Sequence, residues 1–287
     1  MAFNYQEKTI SILKKHGLKP KKNLGQNFLI DNNAILSVLK AGELKKNDTI
    51  LEIGPGLGFL TETLANETKQ VIAVEKDHEF TKILKKQFKK HENIKIVQGD
   101  ILKTQISKNE KENFSIGLKN YKIIANLPYY ITSPVIRKFL EEKNPPKLMV
   151  LMVQKEVAQR ICAKPPKMSL LSIAVQLKSL PKIIKIVKKE SFSPVPKVDS
   201  AIIKIIPIQG VKKDFDQEHF FKIVRAGFSS PRKQIKNNLK KVFGDKIEKI
   251  LLKLDIDSKR RAETLTIGEW KAIMLELKSE NKTQKDN

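Results

Sequence analysis

The chain has 287 residues, and its 56 Lys and Arg against 31 Asp and Glu give it a net charge of +25. Hydrophobic residues make up 40%, too many for a disordered chain, and one Cys excludes a disulfide scaffold. Four scattered His predict no metal site, and the longest apolar run, 148–153, is far too short for a membrane span. We therefore expect a cytoplasmic, monomeric protein with no metal and no membrane association, whose partner is a polyanion.

Residues 1–48 form a basic N-terminal segment. Its Lys side chains cluster between positions 14 and 22, just before the run Gly25-Gln26-Asn27-Phe28-Leu29. We expect the part around Gln26 to cover the ligand site of the domain that follows.

Residues 49–207 alternate short apolar runs with amphipathic segments. Helical patterns at 57–65, 79–90 and 134–141 separate several of the runs. This alternation predicts an α/β domain with a doubly wound, mostly parallel sheet. No helix separates the last two runs, so we expect the last strand to be antiparallel. The predicted strands are 49–53, 71–74, 94–97, 122–125, 148–153, 183–187 and 201–206.

Residues 208–287 have a different pattern, which begins after the sequence Pro207-Ile208-Gln209-Gly210. Apolar side chains recur at helical spacing of three and four residues, as in Ile247, Ile250, Leu251 and Leu254. The pattern predicts a small C-terminal domain made only of helices, and its basic surface makes it a candidate RNA-binding domain.

The most specific local motif follows the first predicted strand, where residues 50–58 read ILEIGPGLG. Gly54, Gly56 and Gly58 permit a sharp turn and a close approach of the backbone to a ligand. The dinucleotide fingerprint needs the spacing G-x-G-x-x-G, whereas this loop has G-x-G-x-G with Pro55 in place of one backbone donor. The loop therefore favours a different adenosine cofactor.

Two carboxylates follow the next predicted strands. Glu75 ends the second strand, where a carboxylate accepts from both ribose hydroxyls of an adenosine cofactor. Asp100 follows the third strand and is placed to accept from the adenine amine. An acid-lined loop suits a sulfonium cation better than a phosphate chain, so we predict S-adenosylmethionine as cofactor, with Lys76 and Ile101 beside these acids.

The fourth predicted strand ends in Asn126-Leu127-Pro128-Tyr129, at the edge of the sheet where ligands bind. The side-chain oxygen of Asn126 and the carbonyl of Leu127 or Pro128 are acceptors that suit the two hydrogens of an aromatic amine. Held in place, they stabilise the charge that develops on nitrogen during methyl transfer. Tyr129 supplies a flat face for an extruded base.

Several segments together resemble the ribosomal RNA small-subunit adenine dimethyltransferase family, across roughly residues 20–275. The resemblance includes the glycine loop, Gly99-Asp100 and the tetrapeptide at 126–129. It also includes the segments Asn23–Leu29, Val153–Ala158, Phe192–Ser200, Phe228, Arg232-Lys233, Asn238-Leu239 and Arg261–Glu263.

The resemblance implies a Rossmann-like methyltransferase fold and two methyl transfers to N6 of each of two adjacent adenosines near the 3′ end of small-subunit rRNA. The partner it implies is the immature small subunit. It implies further that Asn27, Leu29, Gly54, Glu75, Asp100 and Asn126 line the cofactor site. By the same analogy, Phe192 stacks on the flipped adenine opposite Tyr129.

The chain departs from the family pattern at two places. The stretch Met168-Ser169-Leu170-Leu171 stands where the family usually carries an aromatic and a cation before Leu-Ser. Pro231 stands where another Arg is common. Both departures concern substrate contacts and leave the cofactor chemistry untouched.

Three alternatives remain at this point. One is an erythromycin-resistance type of methyltransferase, which modifies large-subunit rRNA with nearly the same motifs. A second is a non-catalytic RNA-binding assembly factor on the same fold. A nicotinamide-dependent dehydrogenase is disfavoured by the glycine spacing and by the absence of an acid–base pair for hydride transfer.

Overall fold

The computed structural model of the chain describes residues 4–21, 24–107, 115–208 and 215–283. Lys22, Asn23, Gln209 and Gly210, which the sequence analysis names, lie outside these residues. The chain forms two compact units, one of residues 1–158 and 179–207 and the other of residues 159–178 and 208–287.

The first unit is built on a seven-stranded sheet in the order β4-β3-β2-β7-β8-β11-β9. Two pairs of short strands, β1 with β10 and β5 with β6, lie outside it. The strands are β1 (Phe28–Leu29), β2 (Thr49–Ile53), β3 (Gln70–Glu75), β4 (Ile94–Gln98), β5 (Gln105–Ser107), β6 (Ser115–Gly117), β7 (Tyr121–Asn126), β8 (Leu148–Gln154), β9 (Ser179–Val187), β10 (Phe192–Ser193) and β11 (Ser200–Pro207).

Strand direction confirms the predicted α/β class. Strands β4, β3, β2, β7 and β8 are parallel, whereas β11 runs antiparallel to both of its neighbours, β8 and β9. The chain leaves β2 toward β3 on one side and returns to β7 on the other, so the order of strands reverses at β2. Ligands of open α/β sheets bind at this kind of switch point, outside the carboxyl ends of the strands.

Helices of the first unit flank these strands. Side-chain carboxylates begin two of them, since Asp31 accepts from backbone N–H groups at the start of α2 and Asp77 does so at the start of α4. Helix α6 follows β8 directly and crosses the boundary between the units. The helices are α1 (Tyr5–Lys15), α2 (Asn32–Gly42), α3 (Phe59–Glu67), α4 (His78–Gln87), α5 (Thr132–Glu141) and α6 (Lys155–Ile161).

The second unit is helical, as the sequence predicts. Its core surrounds Trp270 and Phe220, which are fully buried. The amide of Asn238, also buried, donates to the carbonyls of Gly227 and Ser230 and so fixes the loop between two helices. The helices are α7 (Leu170–Gln176), α8 (Gln217–Gly227), α9 (Ile235–Phe243), α10 (Lys246–Lys253) and α11 (Ile267–Thr283).

The domain boundaries differ from the predicted ones in two respects. Residues 159–178 belong to the helical unit because Met168, Ile173 and Leu177 pack in its core. Residues 1–48 are part of the first unit. The prediction divides the chain into three consecutive ranges. Each unit of the structure instead combines stretches that are separate in the sequence.

Within the described part of the chain, no helix has both the length and the apolar character needed to cross a bilayer.

Candidate active site

A cleft opens at the switch point of the sheet, between the glycine loop after β2 and the end of β7. Its walls also include residues 24–29, the ends of β3 and β4, and the residues that follow β7. It encloses about 1130 Å³ of space outside protein atoms, part of it open to solvent. The cleft is therefore accessible from solvent at the carboxyl ends of the strands, where ligands of open α/β sheets bind.

The glycine loop uses backbone geometry that side chains disfavour. Gly56 has φ +59°, and a Cβ at this position would lie 3.1 Å from the ring of Phe28. Gly58 has φ +81°, and its missing Cβ leaves room for Phe88, whose ring atom would be 2.7 Å away. Gly54 and Gly56 line the cleft, whereas Gly58 packs against α4 and serves helix packing. Gly58 is not among the residues that line the cleft, and the cofactor contact predicted for it stays a prediction.

Glu75 ends β3 inside the cleft and is buried. Its Oε1 accepts from the backbone N–H of Asp77 at 2.8 Å, and its Oε2 accepts from that of Gly56 at 3.4 Å. Burial raises the pKa of Glu75, although these backbone donors lower it. Each carboxylate oxygen accepts more than one hydrogen bond, so Glu75 keeps capacity for the hydroxyls of a ribose.

Asp100 follows β4 and forms an ion pair with Lys76, whose Nζ lies 3.0 Å from Oδ2. Its Oδ1 accepts from the backbone N–H of Leu102 at 3.0 Å. Burial raises the pKa of Asp100, but the hydrogen bonds from Lys76 and the Leu102 N–H and the nearby positive charges of Lys76 and Lys103 together outweigh it, so the pKa lies below its ordinary value. Asp100 is therefore a charged acceptor at neutral pH, and Lys76 fixes its orientation.

Asn126 is the last residue of β7, and its side chain has a defined orientation. Its Nδ2 donates to the carbonyl of Asn27 at 3.0 Å. No donor among the described residues bonds to its Oδ1. The side-chain oxygen of Asn126 is thus the free acceptor at the end of the strand, and the segment that contains Asn27 holds it in place.

The two backbone carbonyls that are candidates for the second acceptor, those of Leu127 and Pro128, differ in their hydrogen bonds. The carbonyl of Pro128 accepts from the N–H of Ile131 at 3.1 Å, within a single 3₁₀ turn. In the described parts of the chain, the carbonyl of Leu127 has no such donor. Tyr129 is half-buried, and its hydroxyl is 2.8 Å from Oγ of Ser200. Burial raises the pKa of Tyr129, so the hydroxyl stays neutral at physiological pH.

The N-terminal segment is fastened to the cleft by Asp77, the residue that begins α4. Its Oδ2 pairs with Nζ of Lys21 at 2.7 Å and accepts from Nε2 of Gln26 at 3.3 Å. Gln26 in turn accepts from the backbone N–H of Lys21 at 2.7 Å. This network of Lys21, Gln26 and Asp77 holds residues 24–29 against the cleft.

Phe192 does not line the cleft. It is 1% exposed and packs in an apolar cluster with Leu29, Val38 and Ile202. Strand β10, which contains it, pairs antiparallel with β1 so that Phe192 lies opposite Leu29. Its side chain is part of the core, and the stacking position implied by family resemblance is not available to it in this structure.

Sequence reasoning missed Glu52, which lies in β2 and lines the cleft. It is 1% exposed, and its Oε2 has no hydrogen-bond partner in the described chain. Burial raises its pKa to about 8, while Thr61 nearby lowers it. The signal was present, since a carboxylate two residues before the first glycine of the loop interrupts an otherwise apolar strand.

The other predicted site residues come together as expected. All of them line this one cleft, and none is separated from it in the fold: Gln26, Asn27, Leu29, Gly54, Gly56, Glu75, Lys76, Asp100, Ile101, Asn126, Leu127, Pro128 and Tyr129.

Comparison with known families identifies the chain. A model of the family described as ribosomal RNA adenine dimethylase matches residues 17–279, nearly the whole chain. The chain belongs to this family. It is therefore an enzyme whose cofactor is S-adenosylmethionine and whose substrate is ribosomal RNA.

Individual relatives agree with the family assignment. The ribosomal RNA small subunit methyltransferase A of Dehalococcoides mccartyi is 44% identical over 269 residues, which cover 92% of this chain and 91% of that protein. A crystal structure of a dimethyladenosine transferase from Plasmodium falciparum has a TM-score of 0.72 at 26% identity and covers 88% of this chain and 97% of its own. The 23S rRNA methyltransferase ErmE shares the fold, with a TM-score of 0.71 at 24% identity over 88% of this chain and 100% of that one.

The residues of the cleft fit the family's cofactor by their chemistry. Two carboxylates, Glu75 and Asp100, line it against a single cation, Lys76, among the described residues, while burial raises the pKa of Glu52 to about 8 and keeps that carboxyl mostly protonated at neutral pH. Glu52 also has a buried oxygen without a partner. Such a set suits a cofactor that carries a sulfonium and an ammonium group, and it opposes a chain of phosphates.

The two departures from the family pattern lie in the helical unit. Met168 is buried in the core of the helical unit, and Ser169 begins α7 by accepting from the N–H of Ser172 at 3.2 Å. Pro231 is exposed in the loop between α8 and α9, beside the exposed side chains of Arg232 and Lys233.

Among the described residues, no group of three or more His, Cys, Asp or Glu suits a metal ion.

Proposed function

We propose that this dimethylase transfers methyl groups to N6 of two adjacent adenosines in the 3′-terminal hairpin loop of small-subunit rRNA during ribosome biogenesis. The observation that carries the proposal is the orientation of Asn126 at the end of β7, beside the glycine loop. Its amide nitrogen is bonded to the carbonyl of Asn27, so its oxygen is left to accept from the amine of a substrate base.

Glu75 would hold the ribose hydroxyls of the cofactor, and Asp100, oriented by Lys76, would accept from the adenine amine. Residues Gly54 and Gly56 would contact its remaining part, with Gln26, Asn27, Leu29 and Ile101 covering it. When bound, S-adenosylmethionine supplies an electrophilic methyl group on a sulfonium. The carboxylates of the cleft favour this positive charge.

The chain's own contribution to the reaction is to position the amine. Its nitrogen lone pair is delocalised into the adenine ring, and two acceptors that grip its hydrogens favour pyramidal geometry. Oδ1 of Asn126 is one acceptor, and the carbonyl of Leu127 is the second, because no donor among the described residues bonds to it, whereas the carbonyl of Pro128 already accepts one hydrogen bond, from Ile131. Both stabilise the positive charge that develops on nitrogen. The methylated amine then loses its proton to water, so no general base is needed.

The ring of Tyr129 provides the inner face for the flipped adenine. Its hydroxyl bond to Ser200 fixes the ring at the cleft wall. Base stacking on an aromatic ring contributes about 1–3 kcal/mol. A base taken out of its stack requires this compensation, since extrusion itself costs a few kcal/mol.

The small subunit is favoured over the large one by sequence similarity. The relative that is 44% identical is named a small-subunit enzyme, whereas the 24% identical 23S enzyme supports the fold alone. Residues 1–48 would cover the cofactor, and residues 208–287 would bind RNA through their basic surface. We expect the enzyme to act as a cytoplasmic monomer on immature small subunits.

The test is mass spectrometry of adenosine modifications after incubation with S-adenosylmethionine and unmethylated small subunits. Dimethyladenosine at two neighbouring positions is expected, with no methyl transfer to large-subunit rRNA. Transfer to large-subunit rRNA alone would instead support the erythromycin-resistance type. Cofactor binding without any methyl transfer would support a non-catalytic assembly factor.

A further inference from the structure

The rim of the cleft carries a second tyrosine beside Tyr129. Tyr130 lines the same cleft as Asn126, but it is 53% exposed. An exposed tyrosine ring at this place presents an apolar face on which a planar group can stack. This face is accessible to a substrate that enters the cleft.

The backbone holds Tyr130 in a defined place. It is the middle residue of the 3₁₀ turn Tyr129–Ile131, which directly precedes α5. Gly25 lies against it, since a Cβ at Gly25 would be 3.6 Å from Cδ1 of Tyr130 and 3.4 Å from Cβ of Pro128. The ring thus lies beside Gly25, in the segment of residues 24–29 that forms part of the cleft wall.

No other aromatic side chain of the cleft wall offers a comparable surface. Phe28 and Phe59 are buried, and Tyr129 is half-buried with its hydroxyl bound to Ser200. Phe192 lies in the core. Among the described residues that line the cleft, Tyr130 is therefore the ring available for a second base.

We propose that Tyr130 is a specificity-determining residue that stacks on the nucleotide next to the target adenosine. The target base occupies the inner position between Asn126 and Tyr129, and the neighbouring base rests on Tyr130 at the mouth. This inference depends on the proposed function, because it requires an RNA substrate with unpaired bases side by side. It gives the enzyme a physical means to hold two adjacent adenosines together, since every base has a face that stacks.

The first test compares three variants on unmethylated small subunits. Tyr130→Ala removes the ring and is expected to raise KM for the subunit about tenfold, from the usual contribution of one stacked base. Tyr130→Phe keeps the ring and is expected to behave like the wild type. The matched control is Leu180→Ala, on the exposed face of edge strand β9, which should leave KM unchanged. The kcat value and the dissociation constant for S-adenosylmethionine should stay the same in all three.

The second test removes the base instead of the ring. Small subunits whose rRNA carries an abasic nucleotide next to the target should raise the wild-type KM about tenfold, whereas Tyr130→Ala should show no further loss. Losses that add in full would overturn the proposal, as would a weaker cofactor affinity with an unchanged KM for RNA. A wild-type enzyme that methylates no small-subunit adenosine would instead refute the proposed function, independently of Tyr130.

Discussion

At the scale of single residues, the two polar atoms of the Asn126 side chain have different roles. Its nitrogen is bonded to Asn27, and its oxygen is the proposed acceptor for the substrate amine. We expect Asn126→Ala to lower kcat about 10²-fold, as for the loss of one preorganised group at a developing charge. Calorimetry with S-adenosylmethionine should show cofactor binding largely retained. Unchanged methylation by this variant would remove the proposed role of Asn126.

Glu52 makes stability depend on pH in an unusual direction. Its pKa is about 8 in the folded chain because of burial, against an ordinary value of 4.5. Between these values the folded chain holds a proton that the unfolded chain has lost, so rising pH favours unfolding. The free energy of unfolding, measured with urea in the absence of cofactor, should fall from pH 5 to pH 8.

Glu52→Gln is neutral at every pH and nearly the same shape, so this fall should be much smaller in the variant. The control Glu92→Gln, at an exposed position, should keep the wild-type fall. A wild-type pH profile identical to that of Glu52→Gln would show that the carboxyl is already charged at pH 5.

At the scale of elements, the cover of the cleft depends on the start of α4. Oδ1 of Asp77 accepts from the N–H groups of Glu79 and Phe80, while Oδ2 bonds Lys21 and Gln26. One carboxylate therefore caps the helix and fastens the N-terminal segment. Burial raises the pKa of Asp77, but the bond and charge of Lys21 together with the two backbone N–H donors of α4 outweigh it, so the pKa lies below its ordinary value and the group is charged at neutral pH.

Lys21→Met should loosen the N-terminal segment while the cap of α4 remains. Because Lys21 is partly exposed and Gln26 still bonds Asp77, we expect only about a two- to fivefold rise in the dissociation constant for S-adenosylmethionine. The melting temperature should change little. Lys19→Met removes an equal charge from an exposed neighbour and should bind like the wild type. Equal losses in both variants would mean that charge, and not the bond to Asp77, sets the affinity.

Local patterns in the sequence predict the elements that build the site. Strands β2, β3 and β7 are short apolar runs, and a residue type that marks the ligand edge of a sheet stands at the end of each: Gly54 after β2, Glu75 as the last residue of β3 and Asn126 as the last residue of β7. Long-range pairing could not be predicted. Strands β1 and β10 have two residues each, too short for a periodic signal, and their register is what turns Phe192 into the core.

The same limit applies to the domain boundaries and to Gly58. Residues 159–178 join the helical unit through Met168 and Leu177, contacts that connect distant parts of the sequence. The motif predicts a ligand contact for Gly58, but its neighbour in the structure is Phe88, the residue directly after α4. In each case, a local sequence pattern does not show which residue from a distant part of the chain packs at the position.

At the scale of the whole molecule, the charge of +25 governs binding of the RNA. Cations that neutralise phosphates release counterions, so affinity falls as salt rises. We expect KM for the small subunit to rise at least about tenfold between 50 and 200 mM salt, which corresponds to only two or three phosphate contacts. The dissociation constant for S-adenosylmethionine, which makes no phosphate contact, should change much less over the same range.

The basic loop between α8 and α9 is a candidate for the phosphate contacts that make KM for the small subunit depend on salt. Arg232 and Lys233 are both exposed there, and the double variant Arg232→Gln/Lys233→Gln should lower the slope of log KM against log salt by about 1 to 2. The control Lys89→Gln/Lys90→Gln removes the same charge from an exposed stretch after α4. If the loop touches phosphates, only the first variant changes the slope. An equal change in both would show that net charge attracts the RNA without a contact at this loop.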